Sequence, residues 1–241
     1  LTVIAFRLAL RNLARDLKSG EIAVLLLALM VAVASLTAVG FFTSRVARAV
    51  NQQAGEVLAA DLRLESARKI DEAYDREAVR RRLSVARVLS MPSVVFLGED
   101  SSLITLRATS EGYPLRGRLK VADRPFGPAR VVEGIPAAGE AWADSRLLAS
   151  LGATVGSELS VGAAKFRVTR VLDYRPDQGA GFADLSSTLL INMADVPGTE
   201  LIQPGSRVSR AVLFAGSPSD VERFREYLAG VRKKGERLQS V

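Results

Sequence analysis

The stretch IAVLLLALMVAVASLTAVGFF, Ile22–Phe42, holds no charged residue and decides how the rest of the chain is read. At about 1.5 Å of rise per residue, a helix of this length matches the roughly 30 Å hydrocarbon layer of a bilayer. A cleavable signal peptide has a shorter apolar core, roughly 7–15 residues, with a small-residue cleavage site close behind it. Ala32-Val33-Ala34 has the A-x-A form, but it sits inside the run with more apolar sequence after it. The stretch therefore reads as a membrane-spanning helix over residues 21–43, in preference to a signal peptide or a buried core helix.

On the N-terminal side, Arg7, Arg11, Arg15 and Lys18 stand against a single Asp16. Short flanks rich in Lys and Arg stay in the cytoplasm, so the N-terminus is expected there. Phe6, Leu10, Leu13 and Leu17 fall at helical spacing, which predicts an amphipathic interfacial helix within residues 1–20, its four cations near anionic lipid headgroups. On the other side, Val46–Leu58 (VARAVNQQAGEVL) keeps apolar residues at helical intervals, predicting a helical stalk over 44–60. Arg45 and Arg48 reduce the charge asymmetry, yet long domains cross a membrane largely regardless of charge. Residues 61–241 are then an extracytoplasmic domain, periplasmic in a bacterium.

Composition removes whole classes of chemistry. The 241 residues include no cysteine and no histidine, so no disulfide, thiolate, imidazole base or His-based zinc site can be built. The net charge of +7 comes partly from the membrane-proximal cluster and otherwise from scattered arginines. With four tyrosines, one tryptophan and no basic stripe interleaved with aromatics, nucleic acid is not an expected partner. No G-x-x-x-x-G-K-[ST] segment occurs, so the chain is not itself an ATPase, and no G-x-S-x-G occurs either. No catalytic residue, metal site or cofactor is expected.

Along the exported part, Asp61–Glu65 alternates in the period of a half-buried strand, and Asp71–Leu83 is helix-forming with acids early and arginines late. Val85–Gly98 and Ser102–Thr109 are β-rich runs across a Gly98-Glu99-Asp100-Ser101 turn, a hairpin signal. Ala143–Gly152 reads as a short helix between a polar cap and a glycine. Strands at Glu158–Val161, Lys165–Leu172 and Thr188–Asn192 suggest a small β-rich subdomain over about 140–200. A strand in Ser206–Ala215 and a helix in Pro218–Val231 are expected to return to the first sheet. The fold class is α+β: a long transmembrane helix with a stalk, then a mixed-sheet domain with that subdomain.

Asp173, Asp177 and Asp184 flank the loop 174–182, and two carboxylates at suitable separation hydrolyse glycosides. Aspartate beside Gly and Pro is more simply a surface-turn residue, because its side chain caps the local backbone. The loop around Asp177, Gly179, Gly181 and Phe182 is also a candidate partner or substrate loop, with Phe182 as an apolar tip or folded into the core. Gln203, Pro204 and Gly205, within Leu201–Arg207, form a second candidate corner or an ordinary turn. Trp142 reads as a packing anchor for the short helix that follows it.

Ala9-Leu10-Arg11-Asn12-Leu13, Thr37–Phe42, Gly112-Tyr113-Pro114-Leu115-Arg116-Gly117, Asp144–Val171 and Leu201–Arg207 together resemble the N-terminal part of FtsX/MacB-type ABC transporter permeases, YbbP-like among them. The resemblance covers nearly the whole chain. It implies a MacB-like periplasmic core domain over 61–241, in the inner membrane, with a separate cytoplasmic ABC ATPase as partner. It also implies mechanotransmission through the stalk and amphiphilic substrates such as lipids or lipoproteins, with membrane lipids and a periplasmic protein as further partners. Family members carry further spans after this domain and this chain has none, so a piece of a longer permease or one half of a split one is expected. The rivals are a single-pass anchored binding or scaffold domain without an ATPase, and the carboxylate hydrolase.

Overall fold

A computed structural model describes residues 21–178 and 186–240. The expected interfacial helix with Arg7, Arg11, Arg15 and Lys18 lies outside the described residues, as do Gly179, Gly181, Phe182 and Asp184. The chain divides into two compact units, Leu1–Gln52 and Gln53–Val241.

Helix α1 runs Glu21–Leu58. Its Ala23–Val46 segment has mean hydropathy 2.5 and no part buried by this chain, and Leu36 is 77% exposed. The segment is long and apolar enough to cross a membrane, and its own hydroxyls fit that setting. Thr37, Thr43 and Ser44 donate to the carbonyls of Val33, Val39 and Phe41 at 2.7, 2.9 and 2.9 Å, so their O–H groups need no water.

The second unit follows in the order β1 (Leu62–Ser66), α2 (Ala73–Arg80), β2 (Ser84–Leu97), β3 (Asp100–Thr109), β4 (Leu119–Ala122), β5 (Arg130–Val132) and β6 (Glu140–Asp144). Then come α3 (Ser145–Leu151), β7 (Glu158–Val161), β8 (Ala164–Tyr174), β9 (Ser187–Asn192), β10 (Ser209–Ala215), α4 (Pro218–Val231) and β11 (Arg237–Ser240). Among the described residues the strands form one hydrogen-bonded, 11-stranded sheet with two regimes. Strands β11-β1-β10-β2 are an open antiparallel sheet, β10 having returned between β1 and β2. Strands β2-β3-β9-β6-β8-β7 close back onto β2 as a small barrel, parallel at β3·β9 and β6·β8 and antiparallel elsewhere.

Strand β2 belongs to both regimes because it is long. Ser84–Ser90 pairs with β10 and Val95–Phe96 pairs with β7, while β3 runs along the opposite edge from Val88 to Leu97. Pro92 sits in the interval between β10 and β7, where a residue without an N–H costs no ladder bond. The β-rich stretch expected over 140–200 is thus the greater part of a barrel that borrows β2 and β3 from the first hairpin.

Strict alternation divides the side chains among three layers. Leu62, Leu64, Val212 and Phe214 face α2 and α4, meeting Tyr74, Ala78, Phe224 and Leu228; the Phe214 and Phe224 rings lie edge to face at 4.8 Å. The barrel interior takes Met91, Val95, Ile104, Leu106, Phe166, Leu189 and Ile191, with Leu147, Leu148 and Leu151 of α3 packed in. Asp144 starts α3 by accepting from the N–H of Leu147 at 2.7 Å, and its other oxygen accepts the Thr188 N–H at 2.8 Å. A third layer gathers Ala59, Ala60, Tyr113, Leu119, Val121, Trp142, Leu190 and Leu213. Trp142 therefore points away from α3 and anchors this layer, a correction that follows from the period of two: its neighbours Ala141 and Ala143 take the barrel side.

Tyr74 has a testable titration. Its buried hydroxyl donates towards the Val231 carbonyl at 3.2 Å and Glu236 Oε2 at 3.1 Å, and burial first, then Glu236, pushes its pKa up to about 12. A pKa raised on folding contributes stability that is complete below the unfolded value of about 10 and fades as pH rises towards 12. Tyr74→Phe should lose less stability than the parent between pH 10 and 12, read from urea midpoints. Parallel losses in the two proteins would remove Tyr74 from the account of alkaline unfolding.

Candidate functional site

The chain leaves α1 through Ala59, a non-glycine residue in the left-handed region at φ 55°, the usual way to end a helix but one that normally uses glycine. Ala59 and Ala60 are fully buried, so only a small side chain fits. The Ala59 carbonyl accepts two backbone N–H groups, from Leu115 and Arg116, both at 3.0 Å. These donors belong to the Gly112–Gly117 segment, where Gly112 and Gly117 take φ +84° and +76° and the Tyr113–Pro114 peptide is cis.

Arg116 then grips Asp61 with both sides of its guanidinium, Nε to Oδ1 at 2.7 Å and Nη2 to Oδ2 at 2.6 Å. The same Asp61 Oδ2 accepts the Gly216 N–H at 3.0 Å, and Arg116 Nη2 donates to the Gly216 carbonyl at 3.2 Å. A side chain at Gly216 would displace the buried Leu83, since a Cβ there would lie 2.5 Å from Leu83 Cδ2. The first residues beyond α1 are clamped to two separate loops, Gly112–Gly117 and the β10–α4 turn. The geometry is bidentate and partly sheltered, with side-chain exposures of 42% for Arg116 and 24% for Asp61.

Tyr113 links this clamp to a buried charge cluster. Its hydroxyl donates to Asp177 Oδ1 at 2.6 Å, and the Asp177 side chain is only 1% exposed. Three guanidinium groups converge on that carboxylate: Arg63 at 3.4 Å, Arg175 at 3.1 Å and Arg107 in direct contact. Arg63 also pairs with Glu65 at 2.7 Å. Burial pushes the Arg107 guanidinium down to about 10, and the Arg175 and Arg63 charges push the same way. Its Nε finds no hydrogen-bond partner among the described residues.

This overturns the surface-turn reading of Asp177, which is a buried counter-ion. It also removes Asp177 as a hydrolytic acid or base, because Tyr113 and three arginines occupy its oxygens, while Asp173 is exposed. Gln203, Pro204 and Gly205 lie elsewhere, in an exposed turn beside the Met91–Phe96 stretch of β2. Ser206 staples that turn: its Oγ accepts from the Gln203 N–H and donates to the Leu201 carbonyl, both at 3.0 Å.

Arg63, Arg107 and Arg175 are the residues that sequence reasoning misses. A signal exists for Arg107: in the β-rich run Ser102–Thr109 it is the only charge, flanked by Leu106 and Ala108, where a charge is tolerated inside only if paired.

The chain is 30% identical over 223 residues to an uncharacterized ABC transporter permease, YbbP, of Escherichia coli (strain K12), covering 92% of this chain. It spans about a quarter of that relative's length, 27%. Its fold matches the crystal structure of the periplasmic region of MacB from Actinobacillus actinomycetemcomitans at a TM-score of 0.51, with 15% sequence identity, covering 77% of this chain and 91% of that one. The model of the MacB-like periplasmic core domain matches residues 22–231, and the chain belongs to that family of ABC transporter permease domains.

Proposed function

We infer that the chain is a permease component whose α1 helix passes the movement of a partner ATPase into the core domain, with the N-terminus cytoplasmic and the core domain periplasmic. The observation that carries this reading is the clamp after α1: the Ala59 carbonyl and the Asp61 carboxylate are held by five hydrogen bonds, to Leu115, Arg116 and Gly216. A flexible linker at this point would suffice for a domain merely tethered to a membrane, whereas a bidentate ion pair and buried alanines suit the passage of movement. Within the domain, Tyr113 stands between the clamp and Asp177, so displacement of Ala59 is passed to β1, β3 and β8 through Arg63, Arg107 and Arg175. The cargo class that suits a membrane-rooted device is an amphiphile such as a lipid or lipoprotein, and the partners are the ATPase, membrane lipids and a periplasmic protein.

Purification of the protein from its native locus in mild detergent tests the reading. A stoichiometric ATPase subunit should co-purify. A chain that migrates alone and is indifferent to ATPase co-expression would overturn the coupling reading and leave an anchored binding or scaffold domain.

A further inference from the structure

Where β2 passes from the open sheet into the barrel, the sheet opens. Between Ser90, the last partner of β10, and Val95, the first partner of β7, β2 is paired on one edge only. A groove of about 380 Å³ lies along that interval, lined by Met91, Pro92, Val94, Phe96, Leu201 and Arg207 among others. Its size is that of a small-ligand site.

Three features define what fits. First, the groove reaches the barrel core: Met91 belongs to that core, and Leu201 packs against it. Second, apolar surface continues outside. Val94 and Phe96 share the outer face of β2, Phe96 is 45% exposed, and Leu103, the cross-strand partner of Val94, is 76% exposed. Third, Arg207 stands exposed at the rim without an ion-pair partner among the described residues. The lip that carries it is firm, because Ser206 staples the turn and Gly162 admits the Thr199 carbonyl to 2.0 Å of where a Cβ would stand. Pro92 removes a backbone donor, which argues against an added β-strand as the occupant. An apolar slot with a single unpaired cation at its mouth complements one alkyl chain ending in one anionic group.

We propose that this seam binds the acyl chain of a single-chain lipid carboxylate, with Arg207 at its headgroup. The proposal deepens the amphiphile reading given above and rests on it for the source of the ligand, the surrounding membrane.

The test uses the full chain in phosphatidylcholine nanodiscs with a diazirine analogue of palmitate, photolysed and mapped by peptide mass spectrometry. Adducts are expected on peptides containing Met91–Leu97 and Leu201–Arg207, besides those on the Ile22–Phe42 helix, which serve as the internal reference. The methyl ester of the same probe should label the seam roughly threefold less, with helix labelling unchanged, and Arg207→Gln should erase that difference. Val94→Asp, which sets a carboxylate in the slot, should reduce seam labelling about tenfold or more. Emission from Trp142, buried in another layer, reports that each variant is folded. Adducts confined to the helix, or seam adducts indifferent to ester and to Val94→Asp, overturn the proposal. Co-purification of the ATPase is scored on the same preparation, so a chain that holds its ATPase but leaves the seam unlabelled sinks the lipid site alone.

Discussion

Asp177→Ala is expected to lower the stability of the core domain by about 3–5 kcal/mol, because it takes the carboxylate away from the buried Arg107 guanidinium and from the two arginines that share it. For a domain of this size that is a fall in Tm on the order of 10 °C, followed by the emission of Trp142. The size of the effect comes from what remains rather than from what leaves. Arg63 keeps Glu65, but Arg107 is nearly inaccessible, with a side-chain exposure of 6%, and water cannot replace the lost anion. Asp177→Asn keeps the shape and a hydrogen-bond acceptor for Tyr113, so it should cost less than the alanine variant while still losing the charge. Equal melting of parent and alanine variant would mean that the cluster is not held by charge. The loss should also spread to the Gly112–Gly117 segment, because Tyr113 gives up its 2.6 Å bond.

Local pattern carries the sequence reading a long way and stops where pairing is decided at a distance. Ile22–Phe42 announces a spanning helix through length and lack of charge, and the β2–β3 hairpin through two β-rich runs around Gly98. The barrel has no such signature. Its closure rests on Val95 and Phe96 meeting Val161 and Ser160, and on parallel pairing of strands separated by dozens of residues. Strands β4 and β5 are hidden by brevity inside a Pro- and Gly-rich stretch; β4 forms on the edge that β8 offers, and β5 on the edge of β4. The candidate site divides the same way. Gly112–Gly117 stands out as a motif, but Asp177 sits among turn-forming neighbours, and its burial depends on Arg63 and Arg107 from two distant strands besides the nearby Arg175. Trp142 is misplaced by adjacency: it neighbours α3 in sequence, yet strand alternation turns it to the other layer.

The clamp at Asp61 and Arg116 yields the other large effect, and it concerns coupling more than stability. Arg116→Ala leaves the core layers untouched and should cost the isolated fold only about 1 kcal/mol, as a partly exposed pair does. On the coupling proposed above, the consequence in the complex with an ATPase is greater, since movement of α1 would reach the domain through Ala59 and Asp61. The backbone N–H groups of Leu115 and Arg116, which donate to the Ala59 carbonyl, are the reporters. Their hydrogen exchange should quicken about tenfold in Arg116→Ala, equivalent to about 1.4 kcal/mol of local opening. The difference in exchange of the core domain between ATP and nucleotide-free states should vanish while the ATPase still turns over. Asp61→Ala should behave as Arg116→Ala or worse, because Asp61 also holds the Gly216 N–H. For that reason the charge-swapped pair Asp61→Arg with Arg116→Asp should not restore coupling: an arginine at 61 cannot accept from Gly216, so reversing the charges rebuilds the ion pair without rebuilding the three-way clamp. Full restoration by the swap would show that attraction alone suffices and that the Gly216 contact is incidental; persistence of the nucleotide-dependent exchange in Arg116→Ala would show that motion enters the domain by another route.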